Sequence, residues 1–205
     1  MTPYFSHFMS YMGQWPRLRH WASALISPKM SRQLFFLDFY IYPAIVLFCL
    51  GFAAFSTPLL QIIAELAVGL ALWTLAEYLL HRFVLHAWPY FADIHQAHHD
   101  ETLEMIGTPT IFSVLFFYVA VYLPFWWAFG PSIALPSFAG FVSGYLAFAA
   151  VHFSVHHLDG NSKLLRTWKK MHAIHHHSIP GHNYGVLTDF WDRVFGTYSS
   201  TMKRR

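Results

Sequence analysis

The chain has 205 residues, of which 56% are hydrophobic and only 11% are charged, and its formal net charge is +3. Because about 25% charged residues are usual in soluble domains, this composition excludes an ordinary soluble protein and predicts a membrane protein. All thirteen Lys and Arg residues lie in residues 1–37, 82–109 or 159–205. The positive charge therefore reflects membrane topology, and we expect no nucleic-acid partner.

The chain begins with a segment, residues 1–37, that mixes Trp and basic side chains with Phe and Leu. Such a mixture favours a segment that lies on the membrane surface. It lacks the charged region, apolar stretch and small-residue cleavage site of a signal peptide. We therefore predict an interfacial segment ahead of the first membrane span.

Two apolar blocks follow, and each is long enough for two membrane-spanning helices of about 20 residues. The first block is broken at Ser56-Thr57-Pro58 and the second at Gly130-Pro131, which are typical helix breakers. The predicted fold is therefore an all-α integral membrane protein with two helical hairpins and a helical cap that holds a histidine-rich site. In a single domain of residues 1–205, the spans are predicted at about 39–56, 59–80, 110–129 and 132–153, and the cap at 154–205.

The predicted orientation follows from the basic residues, because neither hairpin connector contains Lys or Arg. By the positive-inside rule, both termini and the central loop lie on the cytoplasmic side. The histidine-rich segments adjoin the same side. We therefore predict a multi-pass membrane protein whose termini and active site are cytoplasmic.

Eleven of the fifteen histidines form four clusters where apolar segments meet polar ones. Neutral imidazole is a common ligand for transition metals, and one site of three or four histidines would use only a third of this supply. Residues three or four apart share one face of a helix, so three of the clusters can direct their imidazoles to one point. The sequence therefore predicts two metal ions held close together. The clusters are His81 and His86; His95, His98 and His99; His152, His156 and His157; and His172, His175 and His176.

His81 and His86 do not fit this helical spacing, because residues five apart lie about 140° apart around a regular α-helix. Either the helix is distorted there, or the two side chains serve different metals or faces. The following Trp88-Pro89 predicts where the helix ends.

Several further residues are candidates for the surroundings of the metals. Metal-bound histidines usually donate their other N–H to a carboxylate or a carbonyl, and Glu77 lies one turn before His81, where an unpaired charge is costly. We expect Glu77 to support the metal ligands from outside. Asn183, Asp189 and Asp192 are further candidates for this role, although solvation or helix capping explains the two aspartates equally well. His177 and His182 are candidates for additional ligands, although His177 points off the face that carries His172 and His176.

The four clusters resemble the histidine boxes of the fatty acid hydroxylase and sterol desaturase superfamily, and within it those of fatty acid 2-hydroxylases. They are followed by Asn183-Tyr184-Gly185-Val186 and by a Trp-Asp-x-x-Phe-Gly-Thr stretch from Trp191 to Thr197, which is quite specific to this superfamily. The resemblance covers about residues 70–205. It implies that the eleven clustered histidines surround a two-metal centre over four membrane spans, although not each of them need be a ligand, and His157 is the weakest candidate.

The resemblance also implies the cofactors. Two iron ions are expected, or zinc in a purified form, together with O2 and an external electron donor. Eukaryotic 2-hydroxylases carry a fused haem domain, but this sequence has no His-Pro-Gly-Gly element and no Gly-rich dinucleotide fingerprint. We therefore expect a separate electron-transfer protein as a partner.

The predicted function is O2-dependent hydroxylation of a lipid acyl chain, with a fatty acyl or ceramide-like substrate. Hydroxylation or desaturation of a sterol or carotenoid would use the same histidine pattern and is the alternative. A non-enzymatic metal-binding or metal-transport membrane protein is the third hypothesis. Transport favours ionisable groups near the middle of the bilayer, whereas these histidines collect at one predicted membrane face.

Overall fold

The computed structural model describes residues 29–178 and 180–202, and these residues are helical apart from turns, loops and one isolated bridge between Lys29 and Ile106. Most of the predicted interfacial segment lies outside the described residues, as does the basic tail of the chain. Four helical stretches are long and apolar enough to cross a membrane. The predicted all-α membrane fold with four spans is confirmed.

The bounds of the four helical stretches differ from the predicted bounds mainly at the end of the bundle that was predicted to be cytoplasmic. The first span begins earlier than expected, with a short helix Arg32–Phe36 that leads into Asp38–Ala53. The fourth span does not stop at residue 153 but continues without a break to His157, so its last two turns carry histidines. The four spans are Arg32–Ala53, Leu59–Leu85, Thr110–Phe129 and Pro131–His157.

The fourth span lies at the centre of the bundle and packs mainly against the second span and then the first. Gly69 and Gly140 allow the second and fourth spans to touch, because a Cβ on Gly69 would lie 1.9 Å from the Ser137 carbonyl oxygen. A Cβ on Gly140 would lie 2.2 Å from the carbonyl oxygen of Leu66. Small residues permit this close backbone approach between membrane helices, so the two spans pack directly against each other at these positions.

The second span changes its helical form just where its histidines lie. It is an α-helix over Leu59–Leu79 and a π-helix over Leu80–Leu85. Hydrogen bonds in a π-helix join residues five apart, which brings side chains at that spacing to the same side. The rings of His81 and His86 are 5.1 Å apart, so the distortion that the spacing left open as one alternative is present.

Two cap helices cover one end of the bundle. The first cap helix, Pro89–Asp100, begins with a proline, whose missing N–H is tolerated in a first helical turn. The second cap helix, Lys163–His177, is capped by Ser162, whose hydroxyl accepts a hydrogen bond from the Leu165 amide at 3.1 Å. A short helix, Phe190–Val194, follows residues 182–189, which we call the closing loop. The two cap helices therefore bring two histidine clusters to the ends of the second and fourth spans, which carry the other two clusters.

Candidate metal centre

Nine histidines of the described residues form two neighbouring groups, and in each group the candidate ligand nitrogens all lie within 4.8 Å of one another. The second-span group consists of His81, His86, His95 and His175. The fourth-span group consists of His98, His152, His156, His172 and His176. Nine of the eleven clustered histidines are thus brought together.

The second-span group is assembled from three elements. His81 and His86 come from the π-helical end of the second span, and His95 comes from the first cap helix. His175 comes from the second cap helix, and its ring lies 4.4 Å from that of His81. Because the π-helical turn places His81 and His86 side by side, both can face the two cap helices at once.

The fourth-span group is built mainly from regular helical spacing. His152 and His156 are one turn apart near the end of the fourth span, and His172 and His176 are one turn apart on the second cap helix. The first cap helix adds His98, whose ring lies 4.7 Å from that of His152. The two cap helices therefore each contribute to both groups.

The nitrogen atoms within each group approach one another as ligands of a shared ion would. Metal–nitrogen bonds are about 2.0–2.1 Å long, so two ligands at right angles around one ion have nitrogens about 3 Å apart. Four Nε2–Nε2 contacts within the groups match this: His81–His95 at 3.0 Å, His86–His175 at 3.1 Å, His156–His172 at 2.8 Å and His172–His176 at 2.9 Å. The buried Nε2 of His98 has no hydrogen-bond partner among the described residues. The donor set therefore fits transition-metal ions.

The electrostatics keep these imidazoles neutral, which metal binding requires. Burial lowers the pKa of His175 and of His98 to about 3 each, and that of the more exposed His86 to about 4. The pKa values of His95 and His176 are lowered further by burial and by neighbouring histidines. The rings can therefore offer lone pairs without first losing a proton at neutral pH.

The remaining candidate histidines occupy different positions. His99 lies between the two groups, because its Nε2 is 3.1 Å from that of His95 while its ring stacks on that of His176 at 4.0 Å. His157 stacks on Phe153 at 4.4 Å and belongs to neither group. His177 is exposed, and His182 contributes its backbone carbonyl to the site.

The closing loop orients two rings of the second-span group through its carbonyl groups. The carbonyl oxygen of Tyr184 lies 2.5 Å from Nδ1 of His81, and that of His182 lies 3.0 Å from Nδ1 of His175. A carbonyl can only accept a hydrogen bond, so each Nδ1 carries the proton and each Nε2 presents its lone pair to the group. This is the usual outer contact of a metal-bound histidine.

Two buried carboxylates hold the closing loop by four consecutive amide groups. Asp192 accepts hydrogen bonds from the amides of Tyr184 and Gly185, each at 2.8 Å. Glu77 accepts from those of Val186 and Leu187, at 2.5 and 3.1 Å. Both carboxylates therefore contact the loop backbone, and neither has a recorded hydrogen bond to an imidazole in the part of the chain that the structure describes.

Asn183 and Asp189 differ in their relation to this loop. Asn183 has a left-handed backbone (φ 54°), and its side chain exchanges hydrogen bonds with the backbone of Ser199 at 2.8 and 2.9 Å. It thereby ties the loop to the last described residues. Asp189 instead accepts a hydrogen bond from Arg193 at 2.7 Å on the surface. Its carboxylate is therefore paired with a cation and does not contact the histidine groups through this bond.

Two side chains and two carbonyls at the site were missed by the sequence reasoning. The ring of Tyr184 covers the second-span group, at 5.7 Å from His81 and 5.4 Å from His86, and the ring of Phe148 stacks on His152 at 5.5 Å. Phe148 precedes His152 by one helical turn, so its spacing could have indicated the contact. Backbone carbonyls are common to all residues, so no sequence signal marks those of Tyr184 and His182.

Comparisons with known proteins give one consistent result. The family model described as Fatty acid hydroxylase matches residues 66–197. A dihydroceramide fatty acyl 2-hydroxylase of Arabidopsis thaliana is 30% identical over 80% of this chain and 73% of its own length. The ceramide very long chain fatty acid hydroxylase of Saccharomyces cerevisiae is 36% identical over 64% of this chain, but this covers only 37% of that longer protein.

A solved structure shares the fold. The structure of full-length Scs7p, in which only the hydroxylase domain is visible, has a TM-score of 0.75 and 27% sequence identity to this chain. The match covers 87% of this chain and 71% of that one. The similarity therefore includes most of the spans and the cap, and not only the histidine clusters.

Proposed function

The chain belongs to the fatty acid hydroxylase family, and from this we propose that it hydroxylates the acyl chain of a membrane lipid with O2 at a two-metal centre. The observation that carries this proposal is the pair of histidine groups, whose Nε2 atoms face one another at 2.8–3.1 Å where the apolar spans end. Neutral nitrogens held this closely repel one another unless protons or a shared cation lie between them. Two metal ions would satisfy both groups.

We assign ten histidines to the metal ligands: the four of the second-span group, the five of the fourth-span group, and His99 between them. His157, His177 and His182 are left out of this set. The ring of His157 packs on Phe153, and His177 is exposed. His182 acts through its carbonyl.

The metals, which the family resemblance predicts to be iron, would supply the binding and reduction of O2 that attack on an unactivated C–H bond requires. The balanced reaction consumes the C–H bond, O2, two electrons and two protons, and yields an alcohol and water. The protein's own residues fix the imidazoles, with the protons of His81 and His175 held on Nδ1 by the loop carbonyls. The two electrons come from a separate electron-transfer protein.

The substrate is a fatty acyl or ceramide-like lipid, and position 2 of the acyl chain is the expected site of attack. The cap lies where the spans end, and a carbon close to the head group reaches that depth most directly. The names of the relatives also specify fatty acyl, ceramide or fatty acid hydroxylation, which favours an acyl chain over a sterol or carotenoid. The distribution of basic residues supports a cytoplasmic position for the termini and the site.

A metal transporter is less well supported by the arrangement of polar groups. Transport uses ionisable groups along a path through the middle of the membrane. In the described spans the histidines collect at one end, and the deeper carboxylate of Glu65 accepts a hydrogen bond from Ser137 at 2.8 Å. The buried groups are thus arranged as one site and not as a path.

The function is tested by lipid analysis of membranes that contain the protein, incubated with ¹⁸O2 and a reducing system. We expect one labelled oxygen atom in acyl lipids, absent with His98→Ala and retained with His177→Ala as the matched exposed histidine. Label in sterols or carotenoids instead would move the substrate to that class. Label that persists with His98→Ala would contradict the proposed metal centre.

A further inference from the structure

We propose that Asp192 is a positioning residue for one of the two metals: it holds the closing loop so that the second-span group, but not the fourth-span group, can bind its ion. This inference rests on the ligand set proposed above. Asp192 does not touch an imidazole in the described structure, and it acts through the backbone between itself and His81.

The first step of the argument is the contact between the loop and the ring. His81 is only 4% exposed, and its Nδ1 donates to the Tyr184 carbonyl at 2.5 Å. If that carbonyl moves away, the proton is no longer fixed on Nδ1 and the ring can turn or change tautomer. The lone pair of Nε2 would then be directed at the shared ion for only part of the time.

The second step is the contact between Asp192 and the same residue of the loop. Asp192 is fully buried, and its Oδ1 accepts from the Tyr184 amide at 2.8 Å and from the Thr197 hydroxyl at 2.7 Å. Its Oδ2 accepts from the Gly185 amide at 2.8 Å. The amide of Tyr184 is therefore bound on one side while its carbonyl is bound by His81 on the other, which leaves this residue little freedom.

The third step is the asymmetry between the two groups. Carbonyl groups of the closing loop accept hydrogen bonds from His81 and His175, which both belong to the second-span group. In the fourth-span group, the buried Nδ1 atoms of His172 and His176 have no hydrogen-bond partner among the residues described. Loosening the loop should therefore affect the second-span metal alone, whereas a general loss of folding would affect both metals.

The experiment compares Asp192→Asn with Asp189→Asn in the purified full chain, reconstituted in lipid nanodiscs and titrated with Co²⁺. Asp189 is the matched control, because it lies three residues away and its carboxylate pairs with Arg193 on the surface. Bound metal is counted per chain, and the visible absorption of Co²⁺ reports the ligand field. We expect about two ions for the parent chain and for Asp189→Asn, consistent with a two-metal site. For Asp192→Asn we expect an affinity about 10–100-fold lower for one ion.

Two reference variants identify which ion is affected. His175→Ala removes a second-span ligand, and His156→Ala removes a fourth-span ligand. Combined with His175→Ala, the Asp192→Asn change should leave the remaining ion unaffected, whereas combined with His156→Ala it should weaken the remaining ion. Unchanged binding of both ions by Asp192→Asn, or weakening of both together, would overturn the proposal. A parent chain that binds no metal would instead overturn the two-metal centre itself.

A second variant disturbs the loop without removing the carboxylate. A Cβ on Gly185 would lie 2.1 Å from the Thr188 carbonyl oxygen and 3.0 Å from Oδ2 of Asp192, so Gly185→Ala must displace the loop. We expect the same selective weakening of one ion. If Gly185→Ala bound both ions as tightly as the parent chain does, the loop would not position the second-span group, whatever the behaviour of Asp192→Asn.

Discussion

The second-span and fourth-span groups present similar imidazoles but hold them by different means. In the second-span group, His81 and His175 each donate an Nδ1 proton to a backbone carbonyl. In the fourth-span group, the buried Nδ1 atoms of His172 and His176 lack such a partner within the described ranges, and Phe148 stacks on His152. An unpaired buried polar group costs about 1–3 kcal/mol. Backbone contacts therefore preorganise one group, while packing and the proposed ion would have to organise the other.

The largest expected effect comes from removing one ligand from each group. His175→Ala and His156→Ala should each lower the hydroxylation rate by more than about 1000-fold, because O2 reduction and C–H attack require both ions. The measurement is product formation by the purified protein with a chemical reductant, alongside metal content. Substantial turnover by either variant would contradict this prediction, because one histidine group would then be sufficient for hydroxylation.

The order of metal loading is the next largest effect. Because two of its rings are already oriented, the second-span group should bind its ion about 10–100-fold more tightly than the fourth-span group. Stepwise titration of the metal-free protein with Co²⁺ should show two separate phases. His175→Ala should remove the tighter phase and His156→Ala the weaker one, and the reverse assignment would contradict the proposed preorganisation.

Glu77 provides a smaller effect within the second-span group. Its carboxylate accepts hydrogen bonds from the amides of Val186 and Leu187, which are further along the chain from the Tyr184 carbonyl than the amides that Asp192 holds. Glu77→Gln keeps one acceptor oxygen, so we expect the affinity of the tighter phase to fall only about 3–10-fold, or roughly 1 kcal/mol. If Glu77→Gln lowered the affinity of the tighter phase more than Asp192→Asn in the same titration, Glu77 and not Asp192 would be the more important support of the loop.

The smallest effect is expected in the fourth-span group. Phe148→Leu removes the ring that lies nearly parallel to that of His152, with an interplanar angle of 7°, but it keeps an apolar side chain. We expect the weaker phase to lose about 3–5-fold in affinity, since an aromatic ring contact contributes about 0.5–1.5 kcal/mol. The tighter phase should be unchanged. A change confined to the tighter phase would contradict the prediction, because it would show that Phe148 supports the second-span group instead.

The sequence predicts the four spans and the histidine faces because both depend on local patterns. The sequence left open whether His81 and His86 can face the same site, and the π-helical turn brings their rings together. The fourth helix continues to His157, beyond the predicted end of the span at residue 153, because hydropathy marks the membrane rather than the end of a helix.

The outer contacts of the site were not predictable in the same way. Asp189 and Asp192 are three residues apart and look alike in the sequence, yet one pairs with Arg193 on the surface and the other is fully buried under the closing loop. The contact between Glu77 and Val186 joins residues 109 positions apart. Such contacts depend on how the cap folds back onto the spans, and no local pattern specifies them.

The contact between the second and fourth spans bears on how the protein responds to different bilayers. At Gly69 and Gly140 the two helices meet backbone to backbone, and each helix carries histidines of one group at its end. Changes in bilayer thickness usually tilt or shift membrane helices, but we expect these two closely packed helices to tilt together. We therefore expect the spacing between the two histidine groups to stay constant across lipid compositions, and with it the spacing of the two proposed metals.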